Sequence, residues 1–262
     1  YAYDGGPIVI RNGGASYSNA LYQGGFATEQ AFKPFASGGS ASSIIGSGYS
    51  GYYTGTFVNE DTTVGVRRTY YAPTAADSCN FIIQKSVFFG LGGPKIGVTL
   101  GEVIDWDIPS YSSAVNDGRV LSSKGVVYQQ GLDTSTSGCQ QNQARFGAVS
   151  FLGMYTVLQD SIDHCANDVG FYGAYVMNND TLFRYAPDTA ANTTKGAYFW
   201  YQMGSHDTVV GAPVQGRDLH TVVTYKHNTS LDTLTVFTAL VSVKNGDTST
   251  LKVGIDKAFQ WY

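Results

Sequence analysis

The sequence has 262 residues, of which 43% are hydrophobic and 14% are charged, and its net charge is -4. This length suffices to bury a full hydrophobic core, so we take residues 1–262 as a single domain, which can be a module of a longer protein. The composition offers no basic surface for nucleic acid, and no apolar run approaches the about 20 residues of a membrane-spanning helix.

Most of the predicted elements are β-strands. Segments rich in Val, Ile, Thr, Tyr and Phe alternate with Gly, Asn, Asp and Pro, the pattern typical of strands and turns. In chain order we predict strands at Pro7–Arg11, Tyr53–Asn59, Thr63–Ala72, Asn80–Phe89, Ile96–Asp105, Gly125–Gln130, Arg145–Leu152, Gly170–Val176, Ala197–Met203, Leu219–Lys226 and Asp232–Val243. So many strands predict an all-β fold, a large antiparallel β-sandwich built as one body or as two packed sub-domains.

One helix is predicted, at the end of the chain. Leu251, Ile255, Ala258 and Phe259 recur at helical spacing, and Asp247–Ser249 supplies cap residues just before them. We therefore expect a short C-terminal helix packed on a sheet.

Two other segments predict loops and turns. The small, polar stretches Ser37–Ser43 and Asp133–Gly138 are typical of long loops. The segment Gly46–Gly51 matches the glycine spacing of a nucleotide-binding loop, but Tyr52–Phe57 after it has the composition of a strand and not of a helix. We interpret it as a glycine-rich turn.

A pair of carboxylates in the stretch IDWDIP is the most suggestive chemistry. Asp105 and Asp107 alternate as strand residues do, so they share one face and repel each other unless a positive charge lies between them. Asn116 and Asp117 supply further oxygen ligands for such a charge, which makes these four residues a candidate Ca²⁺ site.

Two alternatives to calcium stay open. In the one that we favour, one Asp accepts loop N–H bonds and the other pairs with Arg119 or Arg145, which makes the segment a structural knot. In the other, the two carboxylates serve a glycosidase. Pro109 should end the strand, so that the chain crosses the surface through Ser110–Asp117.

Nothing in the sequence predicts a catalytic residue. His164 and Cys165 are adjacent, and neighbours on a strand point to opposite faces, so they cannot form a catalytic dyad there. The remaining histidines, His206, His220 and His227, lack the spacing of a zinc site.

Aromatic residues supply a candidate sugar-stacking pair. Tyr198 and Trp200 alternate with Phe199 and Tyr201, so one pair belongs to the core and at most the other is free to stack on a sugar. Three sequons would accept glycans if the host glycosylates exported proteins: Asn179, Asn192 and Asn228.

Export is the simplest interpretation of the first residues and the cysteines. The sequence begins at Tyr1 without the pattern of a leader, so we expect a mature product or an excised domain. The three cysteines match no metal spacing and permit one disulfide.

Several stretches together carry a family resemblance. They are Tyr70–Pro73, Cys79–Ile83, Gly101–Pro109, Val127–Gly131, Cys139, Arg145–Gly147 and Asp218–Thr224, of which IDWDIP and YQQG are the most specific. With these stretches the chain resembles a little-characterised family of exported bacterial cell-surface proteins, which often end in a sorting signal or a dockerin. The resemblance implies export and a β-rich fold, and it transfers no activity.

The resembling stretches also contain Cys79 and Cys139, and for that reason we expect these two to form the disulfide and Cys165 to stay free. We expect a non-enzymatic secreted or cell-surface module that acts in structure, adhesion or assembly, with self-association or surface glycans as its partners. The alternative is a carbohydrate-binding module or a glycan-active enzyme.

Overall fold

The structure is a computed structural model, and it describes residues 2–11, 16–17, 32–35, 42–46, 49–59, 62–74, 80–93, 98–106, 108, 116–121, 125–132, 144–156, 171–178, 219–226, 233–244 and 246–262. The described strands are β1 (Ala2–Arg11), β2 (Ser16–Tyr17), β3 (Phe32–Pro34), β4 (Ser42–Gly46), β5 (Tyr49–Asn59), β6 (Val64–Pro73), β7 (Phe81–Gly90), β8 (Val98–Trp106), β9 (Asn116–Leu121), β10 (Val126–Leu132), β11 (Ala144–Thr156), β12 (Phe171–Asn178), β13 (Leu219–Lys226) and β14 (Thr233–Lys244). One helix, α1 (Thr248–Trp261), follows them.

These strands form two antiparallel sheets. The small sheet has five strands in the order β12-β13-β8-β1-β2. The large sheet has nine, in the order β3-β5-β6-β7-β14-β11-β10-β9, with β4 also paired to β5. The predicted all-β sandwich with a short C-terminal helix is confirmed.

Alternation along the strands divides the core into two layers. The first cluster lies between the sheets and contains Leu100 and Trp106 of the small sheet together with Val66 and Phe88 of the large sheet. The second cluster lies between the large sheet and α1. Each fully buried side chain of this size contributes about 1.5–3 kcal/mol by leaving water, so both faces of the large sheet help to hold the fold.

Strand β8 crosses the large sheet at a steep angle. Glu102 bonds to Arg68 on β6, whereas the backbone of Trp106 bonds to Gln129 on β10. Four strand residues span about 13 Å, while β6 and β10, four strand positions apart, are separated by about 19 Å. Strand β8 therefore crosses five of the nine strands of the large sheet, from β6 to β10.

The glycine-rich segment Gly46–Gly51 joins two paired strands, and its residues Gly46 and Tyr49–Gly51 lie in those strands. Strands β4 and β5 pair up to Gly46 opposite Tyr49, which leaves a connection of residues 47–48 between them. Strand β4 begins at Ser42, inside the segment predicted as a loop, so that prediction is wrong at its end. The flexible composition of that end is outweighed by pairing with β5.

The next turn is held by one buried side chain. The amide oxygen of Asn59 accepts from the backbone N–H groups of Thr63 at 2.9 Å and Val64 at 2.8 Å. Its amide nitrogen donates to the Thr63 hydroxyl at 3.0 Å. These bonds support Thr62, whose φ of 55° is unusual for a residue with a side chain.

Helix α1 begins where the sequence predicts. Asp247 accepts from the backbone N–H of Thr250 at 2.9 Å, which completes a capping box. Leu251, Ile255 and Ala258 are buried against the large sheet. Among the described residues no helix combines the length and the apolar character that crossing a bilayer requires.

Candidate functional site

A charged pair lies buried between the two sheets. Arg68 on β6 donates from Nη2 to Oε2 of Glu102 on β8, and the two side chains are 8% and 1% exposed. Gln84 on β7 donates from Nε2 to the same oxygen at 3.1 Å. We call Arg68, Gln84 and Glu102, together with Thr238, the inter-sheet polar cluster.

Neighbouring hydroxyls complete the cluster. The Nε2 atom of Gln84 lies 3.5 Å from Oγ1 of Thr238 and 3.4 Å from Oγ of Ser86. Arg68 donates from Nη1 to the Tyr70 hydroxyl at 3.4 Å. The cluster thus joins strands β6, β7 and β14 of the large sheet to β8 of the small sheet.

The electrostatics of the pair follow from burial. Loss of solvent raises the pKa of the Glu102 carboxyl, and the adjacent guanidinium of Arg68 opposes this rise. Burial by itself would lower the pKa of Arg68, but Glu102 and Tyr70 outweigh it and raise that pKa. Arg68 therefore stays charged, and Glu102 accepts a proton more readily than a carboxyl in water.

A buried carboxyl with a raised pKa can act in catalysis or hold the structure together. A raised pKa suits a general acid, provided that a substrate reaches the group. At 1% exposure Glu102 is instead enclosed by its partners, although its Oε1 atom has no hydrogen-bond partner among the described residues. The geometry favours a structural tie, in which a bond between opposite charges fixes how the sheets face each other.

A second polar group lies further along β8. The indole nitrogen of Trp106 donates to the Thr221 hydroxyl at 2.8 Å, and that hydroxyl donates to the Ile104 carbonyl at 3.2 Å. Gln129 donates to the Trp106 carbonyl at 2.9 Å. The stretches IDWDIP and YQQG therefore meet at Trp106, where β8 and β13 face β10.

The predicted calcium ligands are distributed over both sheets. Asp105 lies on β8 of the small sheet, is 5% exposed and has Asp4 and His220 as its register partners. Asn116 and Asp117 lie on β9, at the edge of the large sheet, and Asp107 is outside the described residues. The segment Ser110–Asp117, predicted as a loop, thus ends in a strand.

The described part of the chain holds no group of three His, Cys, Asp or Glu residues that could bind a metal ion. Because Asp107 and the side chains of Asn116 and Asp117 lie outside the described part, the calcium site stays a prediction.

Several other predictions fall outside the described residues. They concern the disulfide Cys79–Cys139 with Cys165 free, the stacking pair Tyr198 and Trp200, the strand Ala197–Met203 and the sequons at Asn179, Asn192 and Asn228.

Aromatic side chains cluster at the end of α1, away from the predicted stacking pair in the sequence. The ring of Tyr49 meets those of Tyr71 and Trp261 edge to face, at 80° and 90°. Each ring thus packs against a neighbouring ring, and these contacts hold the helix against the sheet. The rings therefore present no flat surface on which a sugar could stack.

Part of the inner face of the large sheet is exposed to solvent. Tyr70 and Leu240 there are half-buried, Ile82 is 42% exposed, and Ala72 and Ser242 are exposed. Ile82 and Leu240 are register partners on β7 and β14. We call these five residues the shelf; it begins next to Arg68, through the bond to Tyr70.

Sequence reasoning missed both the inter-sheet polar cluster and the shelf. One signal was available, since Arg68 follows Val64 and Val66 at inward-facing positions, and Glu102 lies between the inward-facing Leu100 and Ile104. A charge of each sign at inward positions of two strands indicates a buried ion pair.

Comparisons with known proteins find similarity in structure. No family model matches this sequence, and neither does any curated protein. In structure the chain is similar to a bacterial glucoamylase that was solved as a complex with acarbose, with a TM-score of 0.49 and 11% identical residues. The similarity covers 98% of this chain and 29% of that chain, so the chain spans less than a third of the glucoamylase.

Proposed function

We propose that this chain is a non-enzymatic module of an exported cell-surface protein that acts in adhesion or assembly. The observation that carries the proposal is the shelf, where Ile82, Leu240 and Tyr70 form a contiguous, partly apolar surface on a sheet face. Contiguous exposed apolar surface rimmed by polar groups is typical of interaction sites. The residues that form it lie on strands, which hold them rigidly for contact with a partner.

The use of charge in the core also supports a scaffold. Arg68 and Glu102 pair with each other between the sheets, and Gln84 on β7 donates a further hydrogen bond to Glu102. A buried pair of this kind contributes little net stability compared with apolar residues, but it penalises every other way of stacking the sheets. A module that presents a surface benefits from a single fixed arrangement of its sheets.

The alternative function is a carbohydrate-binding module or a glycan-active enzyme. The raised pKa of the Glu102 carboxyl favours it, because glycoside hydrolysis uses a carboxylic acid with a raised pKa together with a second carboxylate. An enzyme would need Glu102 to become accessible to its substrate.

Light scattering at rising protein concentration, with electron microscopy of the same samples, tests the proposal. We expect either reversible self-association or binding to isolated bacterial cell walls. Ile82→Asp, which places a charge on the shelf, should abolish the contact, whereas Val253→Asp on the exposed face of α1 should not.

Two results would overturn the proposal. One is a monodisperse monomer that forms no filaments and binds no cell walls. The other is release of reducing ends from a polysaccharide panel, which would establish the alternative in its place.

A further inference from the structure

We draw no further inference here: the strongest candidate, the partly apolar shelf on the inner face of the large sheet, already belongs to the proposed function, and nothing in the structure shows what covers it.

Discussion

Removing one member of the Arg68–Glu102 pair should cost more stability than removing both. Arg68→Met leaves a buried carboxylate without its cation, and Glu102→Leu leaves a buried guanidinium without its anion. The double variant leaves neither charge in the core, since both replacements are apolar side chains.

The magnitudes follow from the burial of the pair. Two charges about 4 Å apart attract by about 4 kcal/mol at the effective dielectric constant of a protein, and this offsets part of a desolvation cost of several kcal/mol per ion. With side chains 8% and 1% exposed, little of this is screened by solvent. We expect each single variant to lose about 3–5 kcal/mol of unfolding free energy. The double variant should lose about 3 kcal/mol or less, because Gln84 loses only one acceptor.

Urea unfolding of the four proteins measures the coupling energy, which we expect to be at least about 3 kcal/mol. The pH dependence adds a second test. Burial raises the pKa of Glu102 in the folded protein above its value in the unfolded chain. The contribution of Glu102 to the free energy of unfolding is therefore fully present below the pKa of the unfolded chain, and it is lost as pH rises through the pKa of the folded protein. Arg68→Met removes the opposing cation, so its defect should grow with pH above about 4.5. Additive losses, or a defect independent of pH, would refute the buried-pair reasoning.

Three further predictions test other parts of the fold. Gly147→Ala should cost about 1–3 kcal/mol, because a methyl group there would overlap the indole ring packed over it, whereas Gly6→Ala, with open space, should change the urea midpoint little. Asp247→Ala should lower the melting temperature at neutral pH; its hydrogen bonds to the first helical turn lower its pKa to about 2, so the wild-type advantage should vanish as pH falls from about 4 towards 2. A non-reducing peptide map should show a peptide in which Cys79 is linked to Cys139, and in the chain-entropy model this disulfide contributes roughly 4 kcal/mol to stability. A peptide that links Cys165 to either of them would contradict the assignment.

Local composition was enough to predict most of the strands. Strand β13 was predicted with both of its ends, because its run of Leu, Val, Thr and Tyr suits a pleated, buried surface. Strand β9 was missed, since Asn116, Asp117 and Gly118 are typical turn residues. Pairing with β10 gives this segment the strand conformation, and that pairing is a tertiary effect absent from the local sequence.

The inter-sheet contacts could not be predicted for a different reason. Arg68 and Glu102 are separated by 34 positions, and Trp106 and Thr221 by 115. Alternation shows that each faces inward, but only the crossing angle of β8 decides which strand it meets. Glu102 and Asp105 lie on opposite faces of β8, because three positions separate them and the register has no shift there, but the sequence holds no information on the partner of either.

Calcium binding is the prediction on which the two interpretations of Asp105 differ most. Asp105 is 5% exposed on β8, so it must be compensated either by an ion or by the protein itself. If Asp105, Asp107, Asn116 and Asp117 bind Ca²⁺, the melting temperature should rise with free Ca²⁺. At a hundredfold excess of Ca²⁺ over the dissociation constant, the free energy of unfolding should increase by about 2.7 kcal/mol. Asp105→Asn should abolish that rise. A structural knot instead predicts that Asp105→Asn is destabilised equally in chelator and in millimolar Ca²⁺. Melting curves of both proteins under both conditions decide, and an unchanged wild-type transition would eliminate the calcium site.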